Sequence, residues 1–249
     1  MGSLYFILDT ASSGTTVSPD IVERFSLPRE QDEQTGQGMG GEVSVAYYTM
    51  QSLAAGPLLI KNAALPSIPA PSLASHPVAG LAGVDLFGEK LAIWRLQAGC
   101  VFIDSSGTRP KGSGWQRIRT NWLQPWKVLV PIRIGRTEGW ALLDTGAQYS
   151  AINTAFAEQS GLETSDFEAA GLIYGIDGRE LVVKKAVIGQ AQAGPWQWND
   201  TPVRVGNLPV FQRLGESGTP LAILGMDWLS GRDFAIDYGT RAVWMRSGI

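Results

Sequence analysis

Apolar positions along the chain come in short runs rich in Val, Ile and aromatic residues, broken repeatedly by Gly, Pro, Asn and Asp. That is the punctuation of strands and tight turns. The run Val128-Leu129-Val130-Pro131-Ile132-Arg133-Ile134, then Gly135-Arg136, then Trp140 to Leu143, predicts a hairpin that leads directly into Asp144. Helical patterning is sparse. It is clearest over Pro19 to Phe25 and Asn153 to Gly161, with two shorter segments over Val84 to Gly88 and Met226 to Ser230. The class expected is mostly β, with closed or barrel-like lobes.

Three signals occur twice and in the same order. An apolar approach ends in Asp-Thr and a small residue at Leu8-Asp9-Thr10-Ala11 and again at Leu143-Asp144-Thr145-Gly146. A glycine-rich segment flanked by alternating positions follows at Gly38-Met39-Gly40-Gly41 and at Gly175-Ile176-Asp177-Gly178, each reading as a hairpin tip. Two apolar residues and a glycine then recur at Leu81-Ala82-Gly83 and Ile223-Leu224-Gly225. Spacing is kept: Gly38 lies 29 residues after Asp9 and Gly175 lies 31 after Asp144, while the corresponding distances to Gly83 and Gly225 are 74 and 81. The chain therefore divides into an N-terminal lobe over 1–104, a connection over 105–126 rich in Gly, Ser, Pro and Trp, and a C-terminal lobe over 127–249. The first lobe starts only eight residues before Asp9, so a strand is expected upstream of it. Met1-Gly2-Ser3 reads as an added leader.

Composition narrows the chemistry. The chain of 249 residues is 44% apolar and 17% charged, which fits a folded globular protein. A net charge of −3 gives no reason to expect nucleic acid as a partner, and no apolar run approaches the length needed to cross a bilayer. One cysteine, Cys100, excludes an intramolecular disulfide, and one histidine, His76, leaves no Cys/His set for zinc. No metal or cofactor is expected. Carboxylates remain as the natural catalysts: two held about 3 Å apart cannot both ionise, so the pair keeps one proton and can serve as base and acid together. A threonine after each aspartate can pin the two loops, and a small third residue lets a backbone amide approach the carboxylate.

These motifs resemble the retropepsin and pepsin clan of aspartic peptidases over nearly the whole chain. Leu142-Leu143-Asp144-Thr145-Gly146-Ala147 is similar to the retropepsin signature, and Asp9-Thr10-Ala11-Ser12-Ser13 to the pepsin form with Ala11 in place of glycine. The resemblance implies two homologous acid-protease β-barrel lobes with an active-site cleft between them, fused in one chain that acts as a monomer on peptide or protein substrates. It implies Asp9 and Asp144 as the catalytic pair. Thr10, Ala11, Ser12, Thr145, Gly146 and Ala147 support the loops, and Met39, Gly40, Gly41, Ile176, Asp177 and Gly178 form flaps over the substrate. In such families a hydroxyl three residues after the aspartate can bond its outer oxygen. Ser12 is then expected to favour an ionised Asp9, leaving Asp144, followed by Ala147, to hold the proton. Asp85 and Asp227 read as helix caps or surface residues. Ala11 also admits a different reading, a catalytically inactive peptide-binding module of the same fold. The basic and Trp-rich stretch around Trp115, Trp122 and Trp126 reads as an inter-lobe strap.

Overall fold

The structure is a computed structural model that describes residues 3–30, 34–38, 41–70, 76–123, 126–162, 168–174 and 180–248. The fold is mostly β. Each Asp-Thr sits at the end of a strand that pairs in parallel with the strand leading to its glycine. Tyr5–Leu8 runs beside Val78–Ala82 with Leu8 opposite Ala82, and Thr137–Leu143 runs beside Leu221–Leu224 with Leu143 opposite Leu224. The register is therefore the same in both lobes. The backbone amides of Asp9 and Asp144 extend it by donating to the carbonyls of Ala82 (3.0 Å) and Leu224 (3.1 Å).

The expected helices form at Pro19–Phe25 and Thr154–Gln159. The second is capped by the Asn153 side chain, which accepts from the Phe156 amide at 2.9 Å. A 3₁₀ turn, Val84–Leu86, and a short helix, Met226–Leu229, follow the two glycines.

The lobes differ in how they close. In the C-terminal lobe Lys127–Ile134 pairs antiparallel with Thr137–Leu143 and, at Arg133 and Ile134, with the long strand Glu180–Ala193, so an eight-stranded sheet folds back on itself. In the N-terminal lobe the strands form separate pairs, and among the described residues Tyr5–Leu8 has Val78–Ala82 as its only strand neighbour. Its own apolar cluster is correspondingly small, built on Val17, Ile21, Met50, Leu65 and Ala79.

Both lobes are joined by a five-stranded sheet in the order Cys100–Ser105, Lys90–Arg95, Asp233–Asp237, Ala242–Arg246 and Trp115–Ile118. Trp94 stacks on Phe234 and Phe87 on Tyr238, each pair taking one ring from each half of the chain. Asp233 receives Arg95 at 2.6 Å and Arg246 at 3.3 Å. The residues between the lobes are woven into these sheets: Trp115–Ile118 joins the shared sheet, Asn121–Leu123 pairs with Lys127–Ile134, and Trp122 meets Tyr238 edge-on.

The two glycines are demanded by close packing. A Cβ on Gly83 would lie 2.5 Å from the Gly14 carbonyl carbon, and one on Gly225 would lie 2.6 Å from that of Tyr149. Backbone cannot rotate aside as a side-chain tip can. Gly83→Ala and Gly225→Ala should each cost about 2–3 kcal/mol in urea denaturation. Gly189→Ala, in a strand with open space around it, should be neutral or stabilising by up to about 1 kcal/mol. A wild-type midpoint for Gly225→Ala would show that loop contact is not what this glycine serves.

Candidate active site

The two Asp-Thr loops meet across the lobes through their threonines. The Thr10 hydroxyl donates to the Leu143 carbonyl (2.8 Å) and the Thr145 hydroxyl to the Leu8 carbonyl (2.6 Å). In return each hydroxyl oxygen accepts the other threonine's amide, Thr10 to Thr145 at 3.2 Å and Thr145 to Thr10 at 3.1 Å. Both threonines are buried. Two residues that are 135 positions apart thus satisfy four polar groups reciprocally.

This tie brings Asp9 and Asp144 together. Each carboxylate is held by its own loop: Asp9 Oδ1 accepts the amides of Ala11 (2.8 Å) and Ser12 (2.9 Å), and Asp144 Oδ1 those of Gly146 (3.0 Å) and Ala147 (2.9 Å). A methyl on Gly146 would overlap the Asp9 carboxylate, so glycine is required where the first lobe's aspartate crosses the second lobe's loop. The matching methyl, on Ala11, instead packs against the apolar cluster of Leu129, Leu142, Ala147 and Ile223. The departure that suggested a silent binding module is accommodated, and the Ala11 amide still serves Asp9.

Burial pushes the carboxyls of both Asp9 and Asp144 above the usual carboxylate range. For Asp144 the charge of Asp9 adds to burial and the group is pushed up to about 8, against the pull of its loop amides. For Asp9 the loop amides, Lys127 and a hydrogen bond with the Asp144 carboxyl all oppose the rise. The expected bond from the Ser12 hydroxyl is not made. That hydroxyl donates to the Gly14 carbonyl at 2.8 Å, an acceptor two residues along its own turn, so Ser12 reaches Asp9 by its backbone amide alone.

Asp85 and Asp227 are exposed, as expected, and they also clamp the loops. Asp85 accepts the amide (2.9 Å) and hydroxyl (2.7 Å) of Thr15, and Asp227 the amide (2.8 Å) and hydroxyl (2.6 Å) of Ser150. Those hydroxyls accept the amides of Gly83 (3.2 Å) and Gly225 (2.9 Å) in turn. Both hydroxyl residues lie six positions after their aspartate, a signal present in the sequence. A second unread signal is Ala55-Gly56-Pro57 repeated at Ala193-Gly194-Pro195, which forms matching hairpin tips.

The expected flaps begin as antiparallel hairpins. Gln34–Gly38 pairs with Gly41–Val45, and Glu168–Tyr174 with the start of Glu180–Ala193. Gly41 opens its strand opposite Gly38, while Met39, Gly40, Ile176, Asp177 and Gly178 lie outside the described residues. His76 is exposed and rests on the Tyr5 ring, away from the dyad loops. No helix among the described residues is long and apolar enough to cross a membrane.

No curated protein matches the chain. Among solved structures, a retropepsin-like aspartic protease from Rickettsia conorii is similar at 14% identity and a TM-score of 0.39, covering 56% of this chain and 98% of that one. The aspartyl protease family model matches residues 3–86 and 130–228, well over half of the chain, and each matched segment carries one Asp-Thr and its glycine brace. The chain belongs to the aspartyl protease family.

Proposed function

We propose that this protein is an aspartic endopeptidase that hydrolyses peptide bonds with a water held between Asp9 and Asp144. The observation that carries this reading is the hydrogen-bonded pair of carboxyls, Asp144 buried and Asp9 half-buried, one from each lobe, at the junction tied by Thr10 and Thr145. A pair so placed keeps a single proton. Asp144, raised by burial and by its neighbour's charge, holds it, and Asp9 is the ionised partner. Asp9 takes a proton from the water as its oxygen attacks the scissile carbonyl, while Asp144 gives its proton to the carbonyl oxygen. The tetrahedral diol then collapses: Asp9 gives its proton to the leaving nitrogen as the C–N bond breaks, and Asp144 takes a proton from a diol hydroxyl as the carbonyl re-forms, which restores the starting dyad. Lobes 1–104 and 127–249, joined by 105–126, contribute one aspartate each, so the chain needs no second copy. The paired arms at Gln34–Val45 and Glu168–Ala193 are the bases of flaps whose tips, Met39 to Gly41 and Ile176 to Gly178, cover an extended peptide.

Asp9→Asn and Asp144→Asn should each reduce cleavage of a denatured protein mixture by at least about 10³-fold while the far-UV spectrum stays native, and the double variant should be no worse than either. Retention of most of kcat by one single variant would sink the dyad. Ser12→Ala should leave the acidic limb of the kcat/KM profile in place, because its hydroxyl is spent on Gly14. A displaced limb would restore a direct bond to Asp9.

The raised carboxyls also tie stability to pH. An acid whose folded pKa lies above its unfolded value, here 3.8 rising to about 8 for Asp144, makes the folded state take up a proton that the unfolded chain has lost. Its contribution is complete below about pH 4 and fades as pH rises towards 8. Tm should therefore fall between about pH 5 and 8, and the slope should be shallower in Asp144→Asn, although Asp227, also raised by burial, contributes in both proteins. Parallel Tm curves would contradict a buried, protonated Asp144.

A further inference from the structure

Resting on the peptidase reading, we propose that Lys127 is a specificity-determining residue of the cleft, which receives an acidic side chain of the peptide beside the scissile bond. Its position follows from strand register. Lys127–Ile134 and Thr137–Leu143 pair up to Leu129 opposite Leu142; Lys127 lies two residues before Leu129 and Asp144 two residues after Leu142, at the same end of the ladder. Directly opposed residues of an antiparallel pair put their side chains on one face. That face carries Leu129, Leu142 and Ala147, with Ala11 of the other lobe packed against them. Leu123, the partner of Lys127 on its other side, packs there too. Lys127 thus lies at the end of the strand whose apolar face packs against both aspartate loops.

Its surroundings favour its charge from a distance without pairing it directly. Lys127 is half-buried and makes no ion pair within 4 Å among the described residues. The groups whose charges it senses are Arg213, which disfavours its ammonium form, and Asp9 and Asp144, which favour it. The two carboxylates are already engaged by their loop amides and by each other. A half-buried lysine is costly unless something of opposite charge completes it. The dyad itself bears one negative charge and would repel an acidic residue near the reacting bond. A cation beside the dyad, with Arg213 adding to the field, converts that repulsion into recognition of Asp or Glu.

The experiment uses octapeptides with an apolar central pair, made in sets that differ only by Glu or Gln at each of the other positions. With the wild-type protein, the Glu/Gln ratio of kcat/KM should reach roughly tenfold at one position. In Lys127→Met it should fall to one or below, in Lys127→Arg it should persist, and in Lys127→Glu a Lys-bearing peptide should replace the Glu-bearing one as the better substrate. Reading a ratio within each variant cancels any general loss of activity. Binding of the same peptides to Asp144→Asn, with and without Lys127→Met, gives a Glu/Gln ratio of Kd that does not depend on turnover. If the wild type cleaves nothing, the peptidase reading fails, and the Kd ratios still decide the role of Lys127. A ratio near one at every position, or one unchanged by Lys127→Met, overturns the proposal.

Discussion

The reciprocal pairing of Thr10 and Thr145 is the constraint on which the cleft depends. Each hydroxyl donates to the carbonyl just before the other lobe's aspartate and accepts the other threonine's amide, so four backbone groups buried at the lobe junction find partners without water. Removing one hydroxyl would strand a carbonyl and an amide together, each at about 1–3 kcal/mol. The tie does more than join the lobes. It sets the approach of the two carboxyls, Asp144 buried and Asp9 half-buried, and the charge of Asp9 adds to burial in raising the Asp144 carboxyl.

Around the tie the lobes are alike in backbone and unlike in side chains. The same parallel register, the same amide cradle on Oδ1 and the same clamp from an aspartate through a hydroxyl to a glycine amide occur in both. The differences fall where the loops face each other or the cleft. Gly146 must be bare because Asp9 crosses it, while Ala11 can carry a methyl because its own direction leads into the second lobe's apolar cluster. The larger core also lies on the C-terminal side, where one continuous sheet closes on itself. Pseudo-symmetry thus sets the geometry of the dyad, and the departures from it give each aspartate its own surroundings.

Much of this was legible in the amino-acid order. Short β-rich runs, two Asp-Thr motifs, two apolar-apolar-Gly triplets and their kept spacing pointed to a mostly β, duplicated fold with Asp9 and Asp144 at corresponding strand ends. The helices at Pro19–Phe25 and Thr154–Gln159 fell where Pro at the first turn and an Asn cap placed them. These features are local: alternation, caps and turn residues act within a few positions of themselves.

What the tertiary structure alone decided are contacts between distant segments and the directions of individual side chains. Asp85 and Asp227 have the sequence look of helix caps, yet folding brings Thr15 and Ser150 to them from 70 and 77 positions away and makes them clamps. The Ser12 hydroxyl could have turned to Asp9, but it donates to the Gly14 carbonyl. Lys127 is one basic residue among several around the inter-lobe segment until folding brings it within the field of Asp9 and Asp144. A linear pattern can state which residues share a face of one strand. Which strand that face meets, and which polar atom wins a shared hydrogen, depend on distances that exist only once both lobes are packed.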